Sequence, residues 1–199
     1  MKKILSLMLM VAGLTVAAQP KKAPKMAPVL TPGYYVSSKG DTVRGEIQTN
    51  PDDETDMYHK FGFKPAKGGK VMPVDSKKAK AYGYDDHHFV VITYEGEEMY
   101  VERLAKGRLN FFEYRFNGKI DGNAAIESSY FIQDNRAEGE DAGLRDLKKI
   151  SNRFYKKDLQ PYMKDQKMIW TDLDKYNFNR QAVINAILEF NKFYVISAN

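Results

Sequence analysis

The sequence has no cysteine, three histidines and one tryptophan among 199 residues. Without thiols there is no disulfide, no cysteine-ligated zinc, no iron–sulfur cluster, no thiol nucleophile and no lipid-modified cysteine. Stability must come from a packed core, and a chain of this length is able to bury one. Hydrophobic residues make up 43%, an ordinary share for a globular domain. The G-x-S-x-G, P-loop, G-x-G-x-x-G and H-E-x-x-H patterns are all missing. Gly68-Gly69-Lys70 reads as a turn. These absences remove the usual marks of hydrolases, nucleotide-binding enzymes and zinc proteases. No enzyme activity, cofactor or metal is expected.

What is present begins with an export signature. Residues 1–18 read MKKILSLMLMVAGLTVAA. Lys2 and Lys3 make a positive start, Ile4 to Val16 is nearly all apolar, and Val16 and Ala18 are the small residues before a cut between Ala18 and Gln19. The run is short for a bilayer core of about 30 Å, which takes ~20 residues. Cleavage leaves 181 residues with 29 basic and 26 acidic side chains, and no integral membrane segment is expected in them. That mild charge does not point to nucleic acid as a partner. The expected location is the periplasm or the medium.

Residues 19–32, QPKKAPKMAPVLTP, hold four Pro and three Lys and read as a flexible tether. From Gly33 to about 135 the pattern is β-rich. Gly33–Ser38 and Thr42–Gln48 flank Lys39-Gly40-Asp41, a hairpin signal. Further strands are expected at Tyr58–Lys64, Val71–Val74, Ala79–Tyr84, His88–Tyr94, Met99–Leu104, Leu109–Phe116 and Ser128–Gln133, with an acidic loop at 50–56 and another loop over Asn117–Asn123. Phe89–Tyr94, β-branched and aromatic nearly throughout, is the strongest and is expected to be central. Residues 142–195 read as helical. Leu144, Leu147, Ile150, Ser151 and Phe154 fall on one side of a helix to about Lys157. Pro161 at a first helical position opens a second helix to about Trp170, with Trp170 as its packing anchor. Asn179 caps a third, Arg180–Tyr194, whose stripe is Val183, Ala186, Ile187, Phe190 and Tyr194. Strands first and helices last give a single α+β domain: an antiparallel sheet or partly closed barrel followed by about three helices.

The start GYYVSSKGDTVRGEIQ (Gly33–Gln48) resembles that of a group of secreted Bacteroidota proteins with a G-Y-hydrophobic … G-D-T-hydrophobic-x-G-x-I opening. The aromatic strand after Lys106-Gly107, the L … Y-K-K-x-L stretch (Leu147 to Leu159) and the F-N-K-F-Y close (Phe190–Tyr194) are also similar. The resemblance implies an envelope location and a mixed β domain, and carries no activity.

Two sets of candidate site residues stand out. Arg145, Lys148, Lys149, Arg153, Lys156 and Lys157 fall within half the circumference of the first expected helix, a possible anion-binding face for lipid headgroups or an acidic polymer. Tyr34, Tyr35, Tyr82, Tyr84, Tyr100 and Tyr114 lie on strands. Because neighbours alternate between faces, Tyr34 and Tyr35 cannot both be core, so some tyrosines should be exposed or line a ligand groove. Asp85-Asp86-His87-His88, with His59, is the most metal-like cluster, but consecutive strand residues point apart. The carboxylates Glu97/Glu98 and Glu138/Glu140/Asp141 sit in turn-like segments with nothing to mark a catalytic acid. The expected function is non-enzymatic binding in the bacterial envelope, with a glycan, an envelope component or a protein as partner. Anionic-polymer binding and an unfamiliar carboxylate hydrolase are the alternatives.

Overall fold

The computed structural model describes residues 27–51, 53–136, 139–174 and 177–196, without the side chains of residues 140–142, 195 and 196. The export signal, the first part of the tether and Glu138 lie outside the described residues, as do the side chains of Glu140 and Asp141. The described residues form an α+β fold. Ten antiparallel strands make one open sheet, and three helices follow. The strands are β1 (Val29–Ser37), β2 (Thr42–Thr49), β3 (Lys60–Pro65), β4 (Met72–Asp75), β5 (Ala79–Tyr84), β6 (His87–Tyr94), β7 (Glu97–Ala105), β8 (Leu109–Ile120), β9 (Asn123–Asp134) and β10 (Lys148–Ile150). Their order is β10-β9-β8-β7-β6-β5-β1-β2-β3-β4. Two meanders meet where β1 pairs with β5, and the strong β6 strand lies near the middle of the sheet.

The first meander rolls up. Phe61 of β3 stacks on Tyr82 of β5 with ring centroids 4.1 Å apart, although β2 and β1 lie between them. Three strand spacings in a flat sheet would be about 14 Å, so the sheet must curl to bring the rings together. Glycine permits this bend. Gly33 and Gly45 are direct cross-strand partners. A Cβ on Gly45 would sit 2.3 Å from the Lys64 carbonyl oxygen, and one on Gly33 would sit 2.4 Å from that of Gly83. The concave side holds Ile47, Phe61, Phe63, Val74, Tyr82, Phe89 and Tyr100.

The second meander is covered instead. Leu109, Phe111, Tyr130, Ile132 and Ile150 pack under α1 (Tyr155–Leu159), α2 (Lys167–Thr171) and α3 (Arg180–Ile196). Asn179 caps α3, its side chain accepting the Ala182 N–H at 3.0 Å, and Val183, Ile187 and Phe190 face the sheet fully buried. Asn191 clamps the helix to β8: its amide oxygen accepts the Leu109 N–H at 2.8 Å and its amide nitrogen donates to the Leu109 carbonyl at 2.9 Å. Trp170 packs against the same core.

Four expectations need correction. The tether ends earlier than expected, because Val29 to Pro32 already pair with β2; Pro32 sits just before β5 begins to pair with β1. The loop expected at Asn117–Asn123 is strand: β8 and β9 continue to a two-residue turn, Asp121-Gly122, both with positive φ. The helix expected over 144–157 is absent. Residues 148–150 pair with β9 as β10, so Leu147 packs on the outer cluster around Phe131 while Ile150 enters the helix-side core. Ser151 then turns the chain, its hydroxyl accepting the N–H groups of Arg153 and Phe154, and helix begins only at Tyr155. The helix expected from Pro161 is a 3-10 turn, Lys164–Gln166, leading into the five-residue α2.

Candidate functional site

The rolled sheet leaves a cleft of about 320 Å³ at one end, lined by Thr49, Asn50, Pro51, Glu54, Met57, Tyr58, Tyr84, His87, Phe89, Glu102 and Arg115. Its shape follows from a split in the sheet. β8 pairs with β7 only as far as Glu113. The 3-10 turn Glu54–Tyr58 fills the space beyond, tied to β8 by Arg115 Nη1 to Glu54 Oε2 at 2.9 Å and Asn117 Nδ2 to Thr55 Oγ1 at 2.8 Å. Asp53 holds the start of the turn by accepting the Thr55 hydroxyl and N–H, and these bonds draw its carboxyl below the usual range.

Glu102 is the centre of the cleft. It projects inward from β7 and is only 8% exposed. Its Oε1 lies 2.7 Å from His87 Nδ1, and its Oε2 receives a longer bond, 3.4 Å, from the Tyr58 hydroxyl. The Tyr84 ring stacks on His87 at 5.1 Å, and Tyr58 meets Phe89 edge-on at 5.4 Å. Burial, then the charge of Glu102, pushes the Tyr84 hydroxyl up to about 12 and holds that of Tyr58 higher still. Both phenols are therefore neutral donors at any physiological pH. The cleft thus offers aromatic walls, a buried carboxylate with an imidazole, and a rim ion pair.

Next to the cleft, Glu113 is buried under the helices with 1% exposure. Burial opposes its charge. Hydrogen bonds from Arg180 and Ser128 and the charges of Arg115 and Arg180 outweigh that and draw its pKa down. The Arg180 guanidinium reaches Glu113 Oε2 at 2.8 and 3.0 Å. Glu113 is fully engaged and structural.

The six tyrosines do not share a groove. Tyr82 and Tyr100 are fully buried and donate to the carbonyls of Met57 and Ala79. Tyr35 packs inward on Phe63, while Tyr34 turns to the other face and meets His88 Nδ1 at 3.2 Å. Tyr114 lies between Tyr58 and His59. Of the six, only Tyr84 lines the cleft. The three histidines also separate: His87 pairs with Glu102, His88 with Tyr34 and His59 with Tyr114. Among the described residues no group of three or more His, Cys, Asp or Glu is placed to hold a metal ion.

The basic face is dispersed with its helix. Arg145 ends the 3-10 turn Gly139–Arg145, and its carbonyl accepts Gln133 Nε2. Lys148 and Lys149 are adjacent in β10 and point to opposite sides, with Lys148 Nζ 4.0 Å from Asp158. Arg153 lies over the Phe154 ring. Lys156 donates to the carbonyls of Thr171 and Leu173, joining α1 to the end of α2. Lys157 is exposed on α1.

Sequence reasoning missed Glu102, Tyr58, Glu54 and Arg115. One signal was available for Glu102: in an alternating strand it shares its side with Tyr100, so an inward Tyr100 implies a carboxylate facing the core. Nothing local joins it to the acidic turn at 54–58. No helix among the described residues is long and apolar enough to cross a membrane. Comparison with family models, curated proteins and solved structures finds no match.

Proposed function

We propose that the protein is exported to the bacterial envelope and binds a small polyhydroxylated ligand, such as a unit of an envelope glycan, in the Glu102 cleft without chemical turnover. The observation that carries this reading is the juxtaposition of the buried Glu102 and its half-exposed partner His87 with the Tyr84, Tyr58 and Phe89 rings in one concave site. A sugar ring presents apolar C–H faces to aromatic rings and hydroxyls to a fixed carboxylate or imidazole. The export signature supports the location. An amide-resolved NMR titration with maltose and chitobiose tests the site: shifts are expected at Tyr84, His87 and Glu102, and a titration that moves none of them removes the reading.

A hydrolase is the second reading, favoured by one feature: Glu54 and Glu102 line the same cleft. Both carboxylates already have partners, Arg115 and His87, and Glu54 stands at the exposed rim, which suits binding better than acid catalysis. Aryl glycosides are expected to release no phenol. Release that Glu102→Gln abolishes would replace binding by hydrolysis.

A further inference from the structure

We infer that the ligand of the Glu102 cleft carries a protonated amine, as an amino sugar does, and that the cleft rejects anionic sugars. The inference rests on the reading of the cleft as a small-ligand site and concerns which ligands it admits.

The hydrogen bonds already made in the cleft decide what it has left to offer. Its guanidinium already serves two carboxylates: Arg115 gives Nη1 to Glu54 at 2.9 Å and places Nε 3.4 Å from Glu113, so an anion would have to compete with both for its charge. The cleft lining therefore sets two carboxylates, Glu54 and Glu102, against one arginine that also serves a third. Glu102 Oε1 is engaged with His87, but Oε2 has only the 3.4 Å contact from Tyr58. An ionised carboxylate has about four acceptor sites, so Oε2 can take a strong donor. The carboxylate is buried, where screening is weak and a charge is felt more strongly than at the surface. An incoming carboxylate or phosphate would meet that field with only the shared charge of Arg115 to answer it among the described lining residues. An ammonium group would instead meet the Oε2 acceptor and the surplus of carboxylates over arginine in the lining. A buried carboxylate with acceptor capacity left suits an amine better than it suits a neutral hydroxyl alone.

The test is a set of titrations of the intact protein at neutral pH with glucosamine, glucose, glucuronate and putrescine, read by calorimetry and by the amide signals of Tyr84 and His87. Glucosamine is expected to bind about tenfold or more tighter than glucose, a difference of ~1.4 kcal/mol. Glucuronate is expected to give no binding. Glu102→Gln should bring the glucosamine affinity down to that of glucose. If that variant does not fold, Glu54→Gln, at an exposed side chain, should weaken glucosamine relative to glucose by a smaller factor. Glucose or glucuronate binding as tightly as glucosamine overturns the inference and leaves the sugar site standing. Putrescine matching glucosamine supports the amine preference and overturns the sugar reading. No binding by any of the four overturns both.

Discussion

The two meanders of one continuous sheet bury a face in different ways. Among the described residues β1–β6 have only the short 3-10 turn Glu54–Tyr58 against their concave side, so they roll until their own aromatic rings meet: Phe61 on Tyr82, Tyr82 on Phe89, Tyr35 on Phe63. β8–β10 stay open and are covered by α1–α3. A sheet packed on itself needs tight bends and leaves an open end. A sheet under helices needs neither and closes its buried face. The difference explains why the cleft lies at the mouth of the roll, where β8 departs from β7, and why the buried charge on the covered side, Glu113, is fully paired while the one in the roll, Glu102, keeps an acceptor free.

Because β7 belongs to both regions, the halves should unfold together. Tyr82→Ala removes the ring between Phe61 and Phe89 and is expected to cost ~3–5 kcal/mol, measured by urea denaturation. A second transition belonging to the helices alone would show that the roll and the covered half are separate units. Arg180→Ala strikes the covered half by leaving Glu113 buried with Arg115 as its remaining cation. The expected loss is about 2–3 kcal/mol, below the value for a wholly buried pair because Arg180 is one-third exposed. Gly45→Ala puts a methyl against the Lys64 carbonyl and the Phe63 ring. It should cost ~1–3 kcal/mol and loosen the cleft, seen as a larger rise in amide exchange at Tyr84 and His87 than in α3, whose amides follow the global stability alone. Asn179→Ala removes the α3 cap for about 1 kcal/mol and should accelerate exchange in the first turn of α3 without altering the cleft.

The pH dependence probes the covered half through Glu113. The folded-state pKa of Glu113 is depressed, so its contribution is present above the unfolded carboxyl value of about 4.3 and is lost as pH falls through the folded value. Glu113→Gln should flatten the acid limb of the stability curve. A limb left unchanged in that variant would assign acid unfolding to other carboxylates.

Much of the fold was legible because strand alternation and hairpin turns are local. The Gly33–Gln48 hairpin, the central Phe89–Tyr94 strand and the Asn179-capped last helix follow from neighbours within a few residues. The error at 144–157 has a clear cause. Leu147 and Ile150 satisfy both a helical face and two faces of an edge strand, and only the free edge of β9 favours the strand. The site was hardly legible: Tyr84 was among the residues singled out as a groove, and His87 was met as part of a possible metal cluster. Glu54, Glu102 and Arg115 are scattered over 61 positions and carry no spacing that marks them as neighbours.

The order of residues alone determined most of the extended segments and hairpin turns up to Phe116, the capped last helix, that strands precede helices and that no disulfide is possible, since each depends on side-chain type and short-range backbone preference. Tertiary structure alone decided that one half rolls and the other is roofed, that six tyrosines part company and that a glutamate and a histidine meet in a cleft. Those outcomes depend on sheet curvature and on contacts between strands distant in sequence, and curvature is a property of the assembled sheet that no single strand encodes.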